Sequence, residues 1–275
     1  MTVSSIANHH YQWWGNFTFA ANETMTWDFA SLEISIQHLE KEWVTWKQYI
    51  SHFDLEEAGQ PQFYKTTERP DIPAKYDRFI YTQTNDQLDI MPNLPDRNIV
   101  AKPINAITLM PNQEVTLFVG AVLWFSAKIK GASETLFETP IRQLSDTWFG
   151  PSPRLGELCY ASKTHAYIDK KMLTHKPYRA LIPVTIRNQN IVDALKIEKI
   201  NVPVTMLELY CDSQGQFWTN GIQLLKEAGS SHVQIKTESA RRSPYFNSKD
   251  SQLIAPPRKL DQSGLVSKAY DMLFS

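Results

Sequence analysis

The stretch Ser31–Ile50, SLEISIQHLEKEWVTWKQYI, decides the fold. Leu32, Ile34 and Ile36 alternate with Glu33, Ser35 and Gln37, a period of two residues. A short charged connection around Glu40-Lys41 follows, and then a second run rich in β-branched and aromatic residues, EWVTWKQYI. Alternation is the signature of a strand with one face toward a core, and two such runs this close together predict a β-hairpin.

The same signal continues outward. Upstream, YQWWGNFTFA is aromatic and β-branched enough for another strand. Downstream, RFIYTQTNDQLDIMP predicts a second hairpin with its turn at Asn85-Asp86. Strands are also expected in ITLMPNQEVTLFVGAVLWFSAKI, TLFETPIRQL, ELCYASKTHAYI, RALIPVTIRNQ, ALKIEKINV, VTMLELYCD and QFWTNGIQLLKE, with SHVQIKTE as an edge strand. Gly215 in CDSQGQ makes a hairpin of the VTMLELYCD–QFWTNGIQLLKE pair. The stretch 54–76 carries three prolines and no period, and is expected to be a long irregular loop. One helix is expected, in SGLVSKAYDMLFS, with Ser263 as N-cap and Leu265, Ala269, Met272 and Leu273 on one stripe.

The fold class is therefore mainly β: antiparallel sandwich-like units, two of them or one elongated, with a C-terminal amphipathic helix. Residues 1–95 form the expected N-terminal β unit, 96–262 the C-terminal one and 263–275 the helix. The Pro-rich MPNLPDRNIVAKPINAI marks the boundary.

Composition excludes several functions. Twenty-eight basic residues balance 29 acidic ones, so no global field favours nucleic acid or an anionic surface. No apolar run reaches the roughly 18 residues of a membrane helix, and the first residues lack the basic and apolar regions of a signal peptide. A soluble cytoplasmic protein follows, with Cys159 and Cys211 as free, buried thiols. The histidines are scattered or, as His9-His10, adjacent near the terminus, and neither cysteine belongs to a C-x-x-C, so no metal site is expected. No nucleophile elbow, Walker or dinucleotide pattern occurs, and no cofactor is expected.

Candidate site residues concentrate in Leu144–Ser162, LSDTWFGPSPRLGELCYAS. Asp146 and Glu157 flank a turn and could work as a general acid–base pair if they lay side by side. Trp148, Arg154 and Tyr160 would suit a sugar or planar ligand. The competing reading is a structural corner, with Asp146 bonding the turn's amides, Glu157 pairing with Arg154 or solvent, and Trp148 buried. A second candidate surface lies at Trp13 and Trp14: as neighbours on a strand they face opposite sides, so one leaves the core.

This block, with RALIPVTIRN, LPDRNIVAKP, NQEVTLFVGAVLWFSA, FWTNGIQL and LIAPPR, resembles the prokaryotic family Domain of Unknown Function 432. The resemblance implies a soluble prokaryotic β protein and carries over no functional residue. It also implies one class of partner, a membrane protein of the mechanosensitive-channel type. From the residues themselves, the leading function is a non-enzymatic binding or accessory module acting through protein contacts. The alternatives are a hydrolase-like or carbohydrate-binding site at 144–162, and a structural homo-oligomer.

Overall fold

A computed structural model describes residues 12–50, 61–66, 76–81, 85–150, 152, 154–162, 164–229, 232–240, 243–245, 250–259, 265–269 and 274. The fold is mainly β, and its only helices among these residues are two single 3-10 turns. The chain divides into two compact units, one of residues 1–92 and 125–143, the other of 93–124 and 144–275.

The first unit opens with β1 (Gly15–Thr18), β2 (Thr24–Asp28), β3 (Leu32–Leu39) and β4 (Glu42–Tyr49). After these come β5 (Gln62–Thr66), β6 (Asp77–Ile80) and β7 (Gln87–Asn93). The expected hairpin is β3–β4, antiparallel, with Leu39 opposite Glu42 across Glu40-Lys41. Its sheet runs β5-β2-β3-β4-β6. Two expectations change. Part of the stretch 54–76 is ordered as β5, because pairing with β2 satisfies its backbone groups. The second hairpin is not one: β6 pairs with β4, whereas β7 pairs with β1 in another sheet.

The chain then crosses into the second unit through β8 (Ile99–Ala101), β9 (Ile107–Leu109) and β10 (Glu114–Val122). It returns to the first for β11 (Trp124–Ile129) and β12 (Thr135–Pro140), which complete the sheet β1-β7-β11-β12. The two sheets of the first unit meet over aromatic rings. Phe125 of β11 lies 5.3 Å from Trp27 of β2 and 6.0 Å from Trp13.

The second unit continues with β13 (Ser145–Phe149), β14 (Glu157–Ala161), β15 (Arg179–Asn188), β16 (Leu195–Ile197) and β17 (Ile200–Val202). It ends with β18 (Leu209–Cys211), β19 (Phe217–Thr219), β20 (Ile222–Lys226), β21 (His232–Thr237), β22 (Gln252–Ala255) and β23 (Leu265–Ala269). An eight-stranded sheet has the order β22-β18-β19-β15-β20-β21-β23, with β10 also on β15. Most strand pairs are antiparallel, but β15 runs parallel to β19 and β20, and β14 to β8. A smaller sheet has the order β13-β14-β8-β17, and β9 pairs with β16.

The C-terminal helix is not formed in the described residues. Leu265–Ala269 is a strand, antiparallel to β21 over five residues, so β21 is not an edge. Ser263, Met272 and Leu273 lie outside the described residues. A helix this short is marginal on its own, and an open sheet edge offers the same backbone groups partners at once. Tertiary pairing overrides the weak helical pattern.

Candidate functional site

The segment 144–162 is an antiparallel hairpin, and its register sorts the candidates. Asp146 lies opposite Tyr160, Thr147 opposite Cys159, Trp148 opposite Leu158 and Phe149 opposite Glu157. Directly opposed residues share a face, and successive residues alternate. Asp146, Trp148, Leu158 and Tyr160 therefore occupy one face, and Thr147, Phe149, Glu157 and Cys159 the other. The structure does not bring Asp146 and Glu157 together.

The second face points to a core. Phe149 and Cys159 are buried and pack with Val100 of β8. Glu157 accepts hydrogen bonds from the side-chain amides of Asn98, at 3.1 Å, and of Asn201 on β17. It does not pair with Arg154: its role is to tie β14 to the start of β8 and to β17.

The first face is different. Asp146 bonds no amide of the turn. Its carboxylate, 60% exposed, pairs with Arg97 at 3.3 Å. The Arg97 guanidinium lies 5.2 Å from the centre of the Tyr160 ring, and the Tyr160 hydroxyl donates to Asp96 at 2.9 Å. Burial, then the Asp96 hydrogen bond, push the Tyr160 hydroxyl up to about 12, so it stays a neutral donor at physiological pH. Trp124 stands 6.5 Å beyond Tyr160, and the Arg258 guanidinium lies 5.4 Å from the Trp124 ring centre. These rings and cations form one ladder on the second unit.

At the tip, Trp148 is not buried: 47% of its surface is exposed. Leu158 at 44% and Leu155 at 66% are exposed with it. The indole is nonetheless fixed. Its Nε1 donates to the Ser152 carbonyl at 3.1 Å, and its ring lies on Gly156, where an added Cβ would sit 2.2 Å from Nε1. Gly150, with φ +146°, backs onto Gly156 so closely that its own Cβ would come 2.3 Å from the Gly156 Cα. Gly156 thus seats the indole, and Gly150 packs against Gly156. The corner reading fails for the two side chains it relied on, and its Pro151 and Pro153 lie outside the described residues. Arg154 is exposed, and no described carboxylate pairs with it.

The other candidates lie elsewhere. Trp13 is buried against Phe29, at 5.1 Å, and its carbonyl accepts from the Trp27 indole. Trp14 is half-buried. Both belong to the first unit. Cys159 and Cys211 are free and buried, and burial, ahead of the charge of Asp212, pushes the Cys211 thiol up to about 11. Among the described residues, no group of three or more His, Cys, Asp or Glu is placed to hold a metal, and no helix is long and apolar enough to cross a membrane.

Sequence reasoning missed Asp96, Arg97 and Asn98, which hold Tyr160, Asp146 and Glu157 from a separate loop. No local pattern announces that pairing. It also missed Leu155 and Leu158. The hairpin register would have set Leu158 beside Trp148, and Gly150 and Gly156 hinted at the turn. The model of one family, described as a protein of unknown function (DUF432), matches residues 13–274. No curated protein and no solved structure matches the chain.

Proposed function

We propose that this chain, which belongs to the DUF432 family, is a non-enzymatic binding module that recognises another polypeptide through the tip of the β13–β14 hairpin. The observation that carries this is an exposed tryptophan held rigid. Trp148 is half in water yet fixed by the Ser152 carbonyl and seated on Gly156. An aromatic anchor already fixed in place loses little entropy on binding, and tryptophan is prominent among the residues that dominate interface energies. Leu155 and Leu158 extend the apolar surface, and Arg97, Asp146 and Arg154 give it a polar rim. Catalysis is disfavoured because the two carboxylates face opposite ways and Tyr160 keeps its proton. The free buried thiols fit a reducing compartment, which supports a cytoplasmic location.

The test is affinity capture from an extract of the source cells, with the parent chain and with Trp148→Asp and Leu158→Asp. Both positions are about half exposed, so each variant should lose some stability, about 2 kcal/mol at Trp148, and still fold cooperatively, which melting curves check. The expected result is a polypeptide retained by the parent and lost by both variants. Capture that ignores both substitutions would reject the hairpin as the contact surface.

A further inference from the structure

The outer strands of the second unit are not equally protected. An edge strand exposes a row of unpaired backbone groups, and proteins usually block it with lysine, proline, a bulge or a covering segment. At the ends of the eight-stranded sheet, β22 meets β18 through a register shift at Leu209/Tyr210 and is followed by Pro256-Pro257, and β23 carries Lys268. The outer side of β10 is bonded at Phe118 by Tyr167 in both directions, and β17 is bridged at Ile200 by Phe274. In the β9–β16 pair each strand has three residues, and β16 carries Lys196.

The strand β13, Ser145-Asp146-Thr147-Trp148-Phe149, has none of these devices. It is an edge of its sheet, its five-residue register with β14 is unbroken, and it contains no proline or basic residue. Among the described residues, its only backbone partner is β14. Its one charge, Asp146, is paired with Arg97.

We infer that β13 pairs with β13 of a second copy of this chain, antiparallel about a two-fold axis at Thr147, and that this copy is the partner of the hairpin. The inference rests on the proposed reading of the hairpin as a contact surface. A two-fold axis across an edge strand always gives antiparallel pairing, because it reverses one strand against the other. Charge selects the register. Centring on Asp146 would set two carboxylates directly opposite, which is unfavourable. Centring on Thr147 sets Asp146 of each copy opposite Trp148 of the other. The turn carrying Arg154 then lies on the side from which the other copy's carboxylate arrives, and this guanidinium has no described partner of its own. The apolar tips, Trp148 with Leu158, are brought to the shared edge from both sides.

The register gives a charge test that simple loss of apolar surface does not. Trp148→Asp and Trp148→Lys both remove the indole. In the dimer centred on Thr147, aspartate at 148 faces the copy's Asp146, twice by symmetry, and lysine at 148 faces it with opposite charge. Sedimentation velocity over a wide concentration range, on the purified chain and on both variants, reads the result. The expected outcome is a reversible dimer for the parent, with the dissociation constant of the aspartate variant about tenfold or more above that of the lysine variant. Added salt should narrow the gap. Melting curves check that both variants fold, and Leu158→Asp gives a second exposed substitution that should weaken the dimer. A parent that stays monomeric throughout overturns the inference; if capture from extract still depends on Trp148, the contact reading survives without the second copy. A dimer that both variants leave intact uses another edge, and equal weakening by aspartate and lysine refutes the register; either result overturns the inference.

Discussion

The half-exposure of Trp148 makes a quantitative prediction about truncation. A tryptophan side chain buries up to about 250 Å². With 47% of its surface exposed, Trp148 removes roughly 130 Å² from water, worth about 3 kcal/mol at ~25 cal/mol/Å². The area retained by alanine and the compactness of the denatured chain remove about a third of that. Trp148→Ala should therefore cost about 2 kcal/mol. Trp218 is the control, because it belongs to the same unit, is only 4% exposed and donates its Nε1 to Asp212 at 3.1 Å. The same arithmetic gives ~4 kcal/mol for Trp218→Ala, within the ~3–5 kcal/mol usual for a buried aromatic. Urea unfolding followed by far-ultraviolet dichroism measures both, provided the slope of stability against denaturant is unchanged. If Trp148→Ala loses as much as Trp218→Ala, the indole is holding the corner together, and the case for it as a binding anchor collapses.

Further outcomes follow from the same structure. Gly156→Ala should destabilise by about 1–3 kcal/mol, the range for a forced overpacking. Its Cβ would sit 2.7 Å from the Phe149 carbonyl oxygen as well as against the indole; a neutral result by urea unfolding would show that the seat is not close-packed. Cys159 and Cys211 should resist a thiol reagent in the folded protein and react fully in denaturant, since both are buried and the Cys211 thiol stays protonated well above neutral pH; fast labelling of native protein would contradict this. Burial, outweighing the nearby charge of Asp86, lowers the His38 pKa below its ordinary value of 6.5. The unfolded chain then takes up a proton before the folded one does. Stability should fall as pH drops from about 6.5 toward that lowered value, and should not change on this account above about 6.5. A His38→Gln variant that keeps the parent's slope in that window would show that another group is responsible. Tyr160 is raised, so the same linkage runs the other way: its contribution is full below about 10 and is lost as pH climbs toward about 12. Burial also raises Tyr49 and Tyr64, so absorbance titration near 295 nm should show a late-ionising group of tyrosines, part of which ionises earlier in Asp96→Asn.

The amino-acid sequence by itself determined the fold class, because a two-residue apolar period needs no tertiary context to be recognised. Leu32, Ile34 and Ile36 set β3, and the short Glu40-Lys41 connection set its hairpin with β4. The turn chemistry of Asp212 and Gly215 likewise set β18 against β19: the Asp212 carboxylate accepts from the Gln214 and Gln216 amides, and Gly215 takes φ +79°. Long-range pairing is another matter. That β6 joins β4 while β7 joins β1 depends on which edges are free, and no residue between them records it. The C-terminal stretch has a helical stripe of its own, yet the edge of β21 claims Leu265–Ala269 as a strand, because pairing energy outweighs a local preference of a few tenths of a kilocalorie per residue. The candidate site shows the same division. Its composition, Asp146, Trp148, Arg154, Glu157 and Tyr160, was legible as a functional mixture. Which of them meet was fixed by the strand register, which sends the two carboxylates to opposite faces, and by a separate loop that delivers Asp96, Arg97 and Asn98. Exposure of Trp148 was decided last, by Gly156, which seats its ring, and by Gly150 packed against Gly156.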